Sequence, residues 1–96
     1  MRLVFDDQAL DDIDNIFEWI ARDSPATARS IVDRLFSSTE LLISFPLMGH
    51  AGQDPGTLEW VVPRLPYVVV DEVDRSLDLV IVTAVLHGAQ DRGREE

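Results

Sequence analysis

Two histidines, His50 and His87, are the side chains of this sequence that ordinarily titrate near neutral pH and so could exchange protons with a substrate. The inventory around them is narrow. There is no cysteine, hence no thiolate nucleophile, disulfide or sulfur-ligated metal, and two histidines far apart in the chain do not make a zinc-binding spacing. The glycine-rich stretch GHAGQDPG, from Gly49 to Gly56, lacks the Lys-Ser/Thr of a phosphate-cradling loop and precedes no helix. Neither a metal nor any other cofactor is expected. All 8 basic residues are arginines, and they face 18 acids for a formal net charge of -10. A field of that sign repels a polyanion at long range, so direct nucleic-acid binding is not expected and a basic protein partner is favoured.

The elements that must position these groups follow from the hydrophobic pattern. With 96 residues and 46% hydrophobic content, the chain fits one domain, residues 1–96, around one core. No stretch reaches the length of a membrane span, and acids follow the first apolar residues too soon for a signal segment, so a soluble, cytoplasmic protein without membrane association is expected. Arg2 to Phe5 reads as a strand that hands over at Asp6-Asp7 to a carboxylate-capped helix. That helix has an apolar stripe of Leu10, Ile13, Ile16, Phe17, Ile20 and Ala21, with Asp11, Asp12, Asp14, Glu18 and Arg22 on the wet side.

Ser24-Pro25 restarts the helix, because serine caps and proline suits the first turn. The second stripe runs through Ala28, Ile31, Val32, Leu35, Phe36 and Leu42 to Phe45-Pro46, with Arg29 and Asp33 paired outside; two such helices form a hairpin. After the loop of residues 46–56 come three Val/Leu/Ile-rich runs, Leu58–Val62, Tyr67–Val73 and Leu77–Leu86, an antiparallel meander whose last, almost wholly apolar strand is expected to be central. The order is β-α-α-β-β-β. This is an α+β fold, with an N-terminal strand and an antiparallel helical hairpin packed on a twisted, mainly antiparallel sheet whose other face is free.

Several motifs then carry a resemblance. The run PYVVVDEVDRSLDLVIVTAVLHGAQD, Pro66 to Asp91, is similar to the closing signature of ParE/RelE-superfamily toxins, a Pro-Tyr-led strand, a hairpin, and a strand ending Leu-His-Gly-Ala-x-Asp. The first helix (A-x-x-D-I-x-x-I), the Ser-Pro-Ala-x-Ala-x-x-Ile opening of the second, and Pro46-Leu47-Met48-Gly49 at the family's Pro-x-x-Gly turn extend the resemblance over nearly the whole chain. It implies the toxin of a type II, plasmid-stabilisation type toxin–antitoxin system, held inactive by a cognate antitoxin. The antitoxin it implies commonly has a ribbon-helix-helix DNA-binding part, and the charge of this chain predicts an Arg/Lys-rich C-terminal arm. In the ParE-like branch the implied target is DNA gyrase; in the RelE-like branch the implied activity is ribosome-dependent mRNA cleavage.

The residues themselves favour the first branch. RNA cleavage needs a base, an acid and cations beside the phosphate, whereas Arg22, Arg29 and Arg34 lie on the helical half. Arg64, Arg75, Arg2, Arg92 and Arg94 remain for the sheet, among Asp71, Glu72, Asp74 and Asp78. Asp71-Glu72 stands where relatives usually have Tyr-Arg, and Leu58 where an arginine is common. No catalytic residue is therefore expected, and the protein is read as a non-enzymatic gyrase inhibitor acting by protein–protein contact. The alternatives are a RelE-like endoribonuclease or a non-toxic, antitoxin-binding relative. Candidate contacts for target or antitoxin are His50, Trp60, Arg64, Tyr67, Arg75 and His87, with the acidic stripe Asp7, Asp11, Asp14 and Glu18. Each also has a plain structural reading: His50 as a solvated loop residue, His87 as a hydrogen-bonding strand end, Trp60 and Tyr67 as core, and the stripe as a wet helix face.

Overall fold

The structure, a computed structural model, describes residues 1–88. Strand β1 (Arg2–Phe5) leads into helix α1 (Asp7–Ala21), α2 (Pro25–Thr39) and a short α3 (Leu41–Ser44); then come β2 (His50–Ala51), β3 (Leu58–Val61), β4 (Tyr67–Asp74) and β5 (Leu79–His87). The strands form one sheet in the order β1-β5-β4-β3-β2. β1 pairs with β5 in parallel, placing Arg2 opposite Leu79 and Phe5 opposite Val82, and every other pairing is antiparallel. The α+β arrangement is as the sequence implies; β5 is interior, between β1 and β4, while β4 holds the middle of the sheet.

Four local differences have physical causes. The second helix does not run through to Phe45, because the buried Thr39 hydroxyl donates to the Phe36 carbonyl at 2.7 Å and the Glu40 N–H turns back to the Ser37 and Ser38 carbonyls, which closes α2 before α3 begins. Asp6 stands at the N-cap of α1 without a side-chain hydrogen bond, whereas Ser24 caps α2 by accepting from the Thr27 N–H at 3.2 Å. No ion pair joins Arg29 and Asp33 among the described residues, consistent with two exposed side chains for which water competes well. The loop after Pro46 is not wholly irregular, since His50 and Ala51 pair with Glu59 and Leu58 as a two-residue edge strand.

One core forms between helices and sheet. Ala9 and Ile13 of α1, Leu35 of α2 and Leu42 of α3 pack on Tyr67, Val69, Val80, Val82 and Val85. These strand residues share one face by register: Tyr67 lies opposite His87, Val69 opposite Val85, Asp71 opposite Val82 and Val73 opposite Val80. A register shift between Val70 and Asp71 sets the extra residue of β5 in a bulge, so the alternation of β5 changes phase near Thr83 while that of β4 does not. Leu10, placed on the apolar stripe by spacing, is 40% exposed because it lies at the margin of that stripe. No helix is long and apolar enough to cross a membrane among the described residues.

Candidate functional site

The free face of the sheet is defined by the other phase of the pairing: Glu59 opposite Val70, Glu72 opposite Ile81, Val70 opposite Ala84 and Val68 opposite Leu86. Here lies an open recess of about 350 Å³ whose floor is Val70, Thr83, Ala84 and Leu86, and whose rim is Asp6, Gln53, Asp54, Thr57, Glu59 and Glu72. Among the described residues ten line the recess, of which four are acids and none is a lysine or arginine. Arg2 lies at the far end of this face, opposite Leu79, and is exposed. Gln53 donates its backbone N–H to Glu59 Oε2 at 3.1 Å, which fixes the loop at the rim.

A second recess of about 270 Å³ opens where α1 meets the ends of β4 and β5, lined by Asp12, Asn15, Ile16, Trp19, Tyr67, Val85, Leu86 and His87. Asp12 makes this corner. Its Oδ2 accepts the Val85 N–H at 2.9 Å and its Oδ1 accepts from Gln8 Nε2 at 2.8 Å. That N–H needs a partner because β1 ends opposite Val82 and, among the described residues, no strand continues along this edge of β5. The sequence pattern assigns Asp12 to the wet face of α1; the structure turns it inward to fill that gap. Trp19, absent from the contact candidates, is 67% exposed, with the Arg22 guanidinium 4.9 Å from its ring centroid. Its signal in the sequence is a large aromatic off the apolar stripe, next to Ile20.

The other candidates are dispersed. His50 sits on β2 opposite Glu59 and is exposed, as a solvated residue would be, though on a strand. His87 lies at the end of β5 opposite Tyr67, their rings edge to face at 5.5 Å. The register puts His50 on the free face and His87 on the helix side, with β3 and β4 between their strands, a separation of roughly 14 Å across the sheet. They do not form an acid–base couple. Tyr67 is buried, and burial raises its phenol above the usual range; Trp60 is half-buried against the core. Arg75 is exposed in the β4–β5 turn, where the Asp74 carboxylate accepts from the Ser76 hydroxyl and the Leu77 N–H, which together hold its pKa below the ordinary value. Asp7, Asp11, Asp14 and Glu18 are all exposed on α1. Arg92 and Arg94 lie outside the described residues, as does the tail after Asp91.

Arg64 follows Pro63 in the β3–β4 turn with φ 67°. Proline at the second turn position and a positive φ at the third are the requirements of a type II turn, which an arginine meets at some steric cost. Arg64→Gly is expected to change stability by less than about 1 kcal/mol, because relief of the left-handed strain offsets the greater freedom of the unfolded glycine. Thermal unfolding beside antitoxin binding then reads the side chain alone: a lost complex at unchanged Tm makes Arg64 a contact.

Asp71 is the main departure from expectation. It and Glu72 both look like charges on the sheet surface, but only Glu72 is exposed there. Asp71 points into the core at 0% exposure, and neither carboxyl oxygen has a hydrogen-bond partner. Desolvation raises its pKa from 3.8 to about 6.

Comparison with known proteins adds three findings. A family described as "ParE toxin of type II toxin-antitoxin system, parDE" matches residues 3–92. Y4kP of Sinorhizobium fredii, which carries a provisional toxin name, is 28% identical over 75 residues, 78% of each chain. Among solved structures, the chromosomal ParDE system of P. aeruginosa superposes with TM-score 0.80 at 18% identity, covering 91% of this chain and 95% of that one. The isolated E. coli RelE toxin superposes with TM-score 0.65 at 17% identity, covering 95% and 87%.

Proposed function

From the premise that the chain belongs to the ParE toxin family of type II toxin–antitoxin systems, we propose that it acts by protein–protein contact with DNA gyrase and is neutralised by a cognate antitoxin of the ribbon-helix-helix type. The observation that carries this reading is the free sheet face. A phosphodiester in its recess would meet Asp6, Asp54, Glu59 and Glu72 and, among the described residues, no lining arginine, so the charge that develops on a cleaving phosphate would be destabilised where a nuclease must stabilise it. The two histidines, on opposite faces, supply no acid–base pair to compensate. Inhibition by binding asks for neither.

The apolar corner formed by Ile16, Trp19 and Leu86 supports a binding role, since a large, exposed aromatic beside a recess is the kind of group that anchors protein interfaces. The test is expression of the chain without antitoxin, followed by gyrase supercoiling and mRNA integrity assays. Loss of supercoiling with gyrase-linked DNA breaks and intact mRNA is the expected outcome. Cleavage of translated mRNA would replace the reading with a RelE-like ribonuclease, and normal growth with both intact would leave an antitoxin-binding subunit.

A further inference from the structure

We propose that the free face of the sheet receives a basic, amphipathic segment of the antitoxin, with apolar side chains on Val70, Ala84 and Leu86 and arginines or lysines at the rim. This rests on the toxin–antitoxin reading and gives that partner a chemistry and a place. The helix residues packed on the sheet, Ala9, Ile13, Leu35 and Leu42, lie on its opposite side. On the free face Val61 is 57% exposed and Val70, Ala84 and Leu86 are half-buried at the floor of the recess, whereas Val68 beside them is buried. A sheet with one face packed and the other bearing valine, alanine and leucine leaves apolar area in water, which favours a partner able to cover it.

Electrostatics selects among partners. Asp54 and Glu72 are exposed and Glu59 half-buried around that apolar floor, and the whole chain carries a formal charge of -10. An acidic peptide or a nucleic acid would be repelled from this face, whereas guanidinium or ammonium groups flanking apolar side chains match both rim and floor. On α1, Asp11, Asp14 and Glu18 are exposed but line neither recess, and the exposed Leu10 and Trp19 beside them form no apolar floor between these acids. Long-range attraction therefore belongs to both surfaces, but seating belongs to the sheet.

The discriminating experiment uses the full chain and two probes, the antitoxin encoded beside it and a short labelled peptide alternating leucine and arginine. In fluorescence anisotropy the peptide is expected to bind with an affinity that falls as salt rises. Asp54→Arg with Glu72→Arg is expected to weaken both probes by about tenfold or more, while Asp14→Arg with Glu18→Arg on α1, which removes long-range attraction only, is expected to weaken either by no more than about threefold. Melting temperatures of both variants, matched to the parent, show that the fold is retained; if the sheet-face pair unfolds, Glu72→Gln with Asp54→Asn is expected to give the same direction with a smaller loss. Equal weakening by the α1 variant, or equal binding of a leucine–glutamate peptide, overturns the proposal. Absence of any complex between the parent chain and the antitoxin would refute the toxin–antitoxin reading itself. A normal antitoxin complex with the sheet-face variant would refute only the docking site.

Discussion

Asp71→Asn is expected to be more stable than the parent at about pH 7.5 by about 3 kcal/mol, raising Tm by roughly 10–25 °C. The Asp71 carboxyl is fully buried without a hydrogen-bond partner, and burial raises its pKa from 3.8 to about 6. Below pH 3.8 the folded and unfolded chains both hold the proton. Between about 4 and 6 the folded chain holds it and the unfolded chain releases it, so folding weakens as pH rises through that window; above it the core carries a bare charge. Asparagine has the shape of the protonated carboxyl and cannot ionise. The two proteins should therefore converge in stability near pH 3.5 and diverge up to about pH 6, as followed by thermal unfolding across pH. A variant less stable than the parent at neutral pH would show that the carboxylate has a cationic partner and would sink the argument.

Gly49→Ala is expected to cost about 2 kcal/mol and to detach β2 from β3. A Cβ at Gly49 would stand 2.6 Å from the backbone oxygen of Glu59 and 3.0 Å from its carbonyl carbon. A flexible side chain could swing away from such a contact; a strand backbone cannot without giving up its pairing. The glycine of the Pro-x-x-Gly turn thus permits the close passage that sets His50 against Glu59. Hydrogen exchange of β2 and β3 amides, with the melting temperature, checks this: unchanged protection in the variant would mean that the turn relaxes around the methyl group.

The sequence pattern was most legible where one period dominates. α1 and α2 follow from their stripes and from Ser24-Pro25, and β5 was recognisable as an interior strand because Leu79 to Leu86 is nearly all apolar. The parallel pairing of β1 was not legible, since a four-residue strand carries no mark of its partner's direction. Asp71 was misplaced for a different reason. Residue type argues for the surface, but counting by twos from Tyr67 through Val69 and Val73 puts position 71 in the core, and the period prevailed over the residue's preference for water. Asp12 shows the converse, an acid within the polar stretch of α1 drawn inward by one strand N–H. The recess at Trp19 combines α1 with the ends of two strands far along the chain, and such a conjunction has no local signature.

The sheet order has a temporal side. β5 is the strand on which both β1 and β4 pair, and its residues are made nearly eighty positions after those of β1. On the ribosome, β1 has no neighbour and the core lacks Val80, Val82 and Val85 until residues 79–87 have left the exit tunnel, so the helical hairpin has only part of its floor before then. Closure of the domain is expected to be late, when β5 completes its hairpin with β4 and joins the distant β1 and α1. A chain built this way holds its apolar strands unpaired in its unfinished form for most of its synthesis.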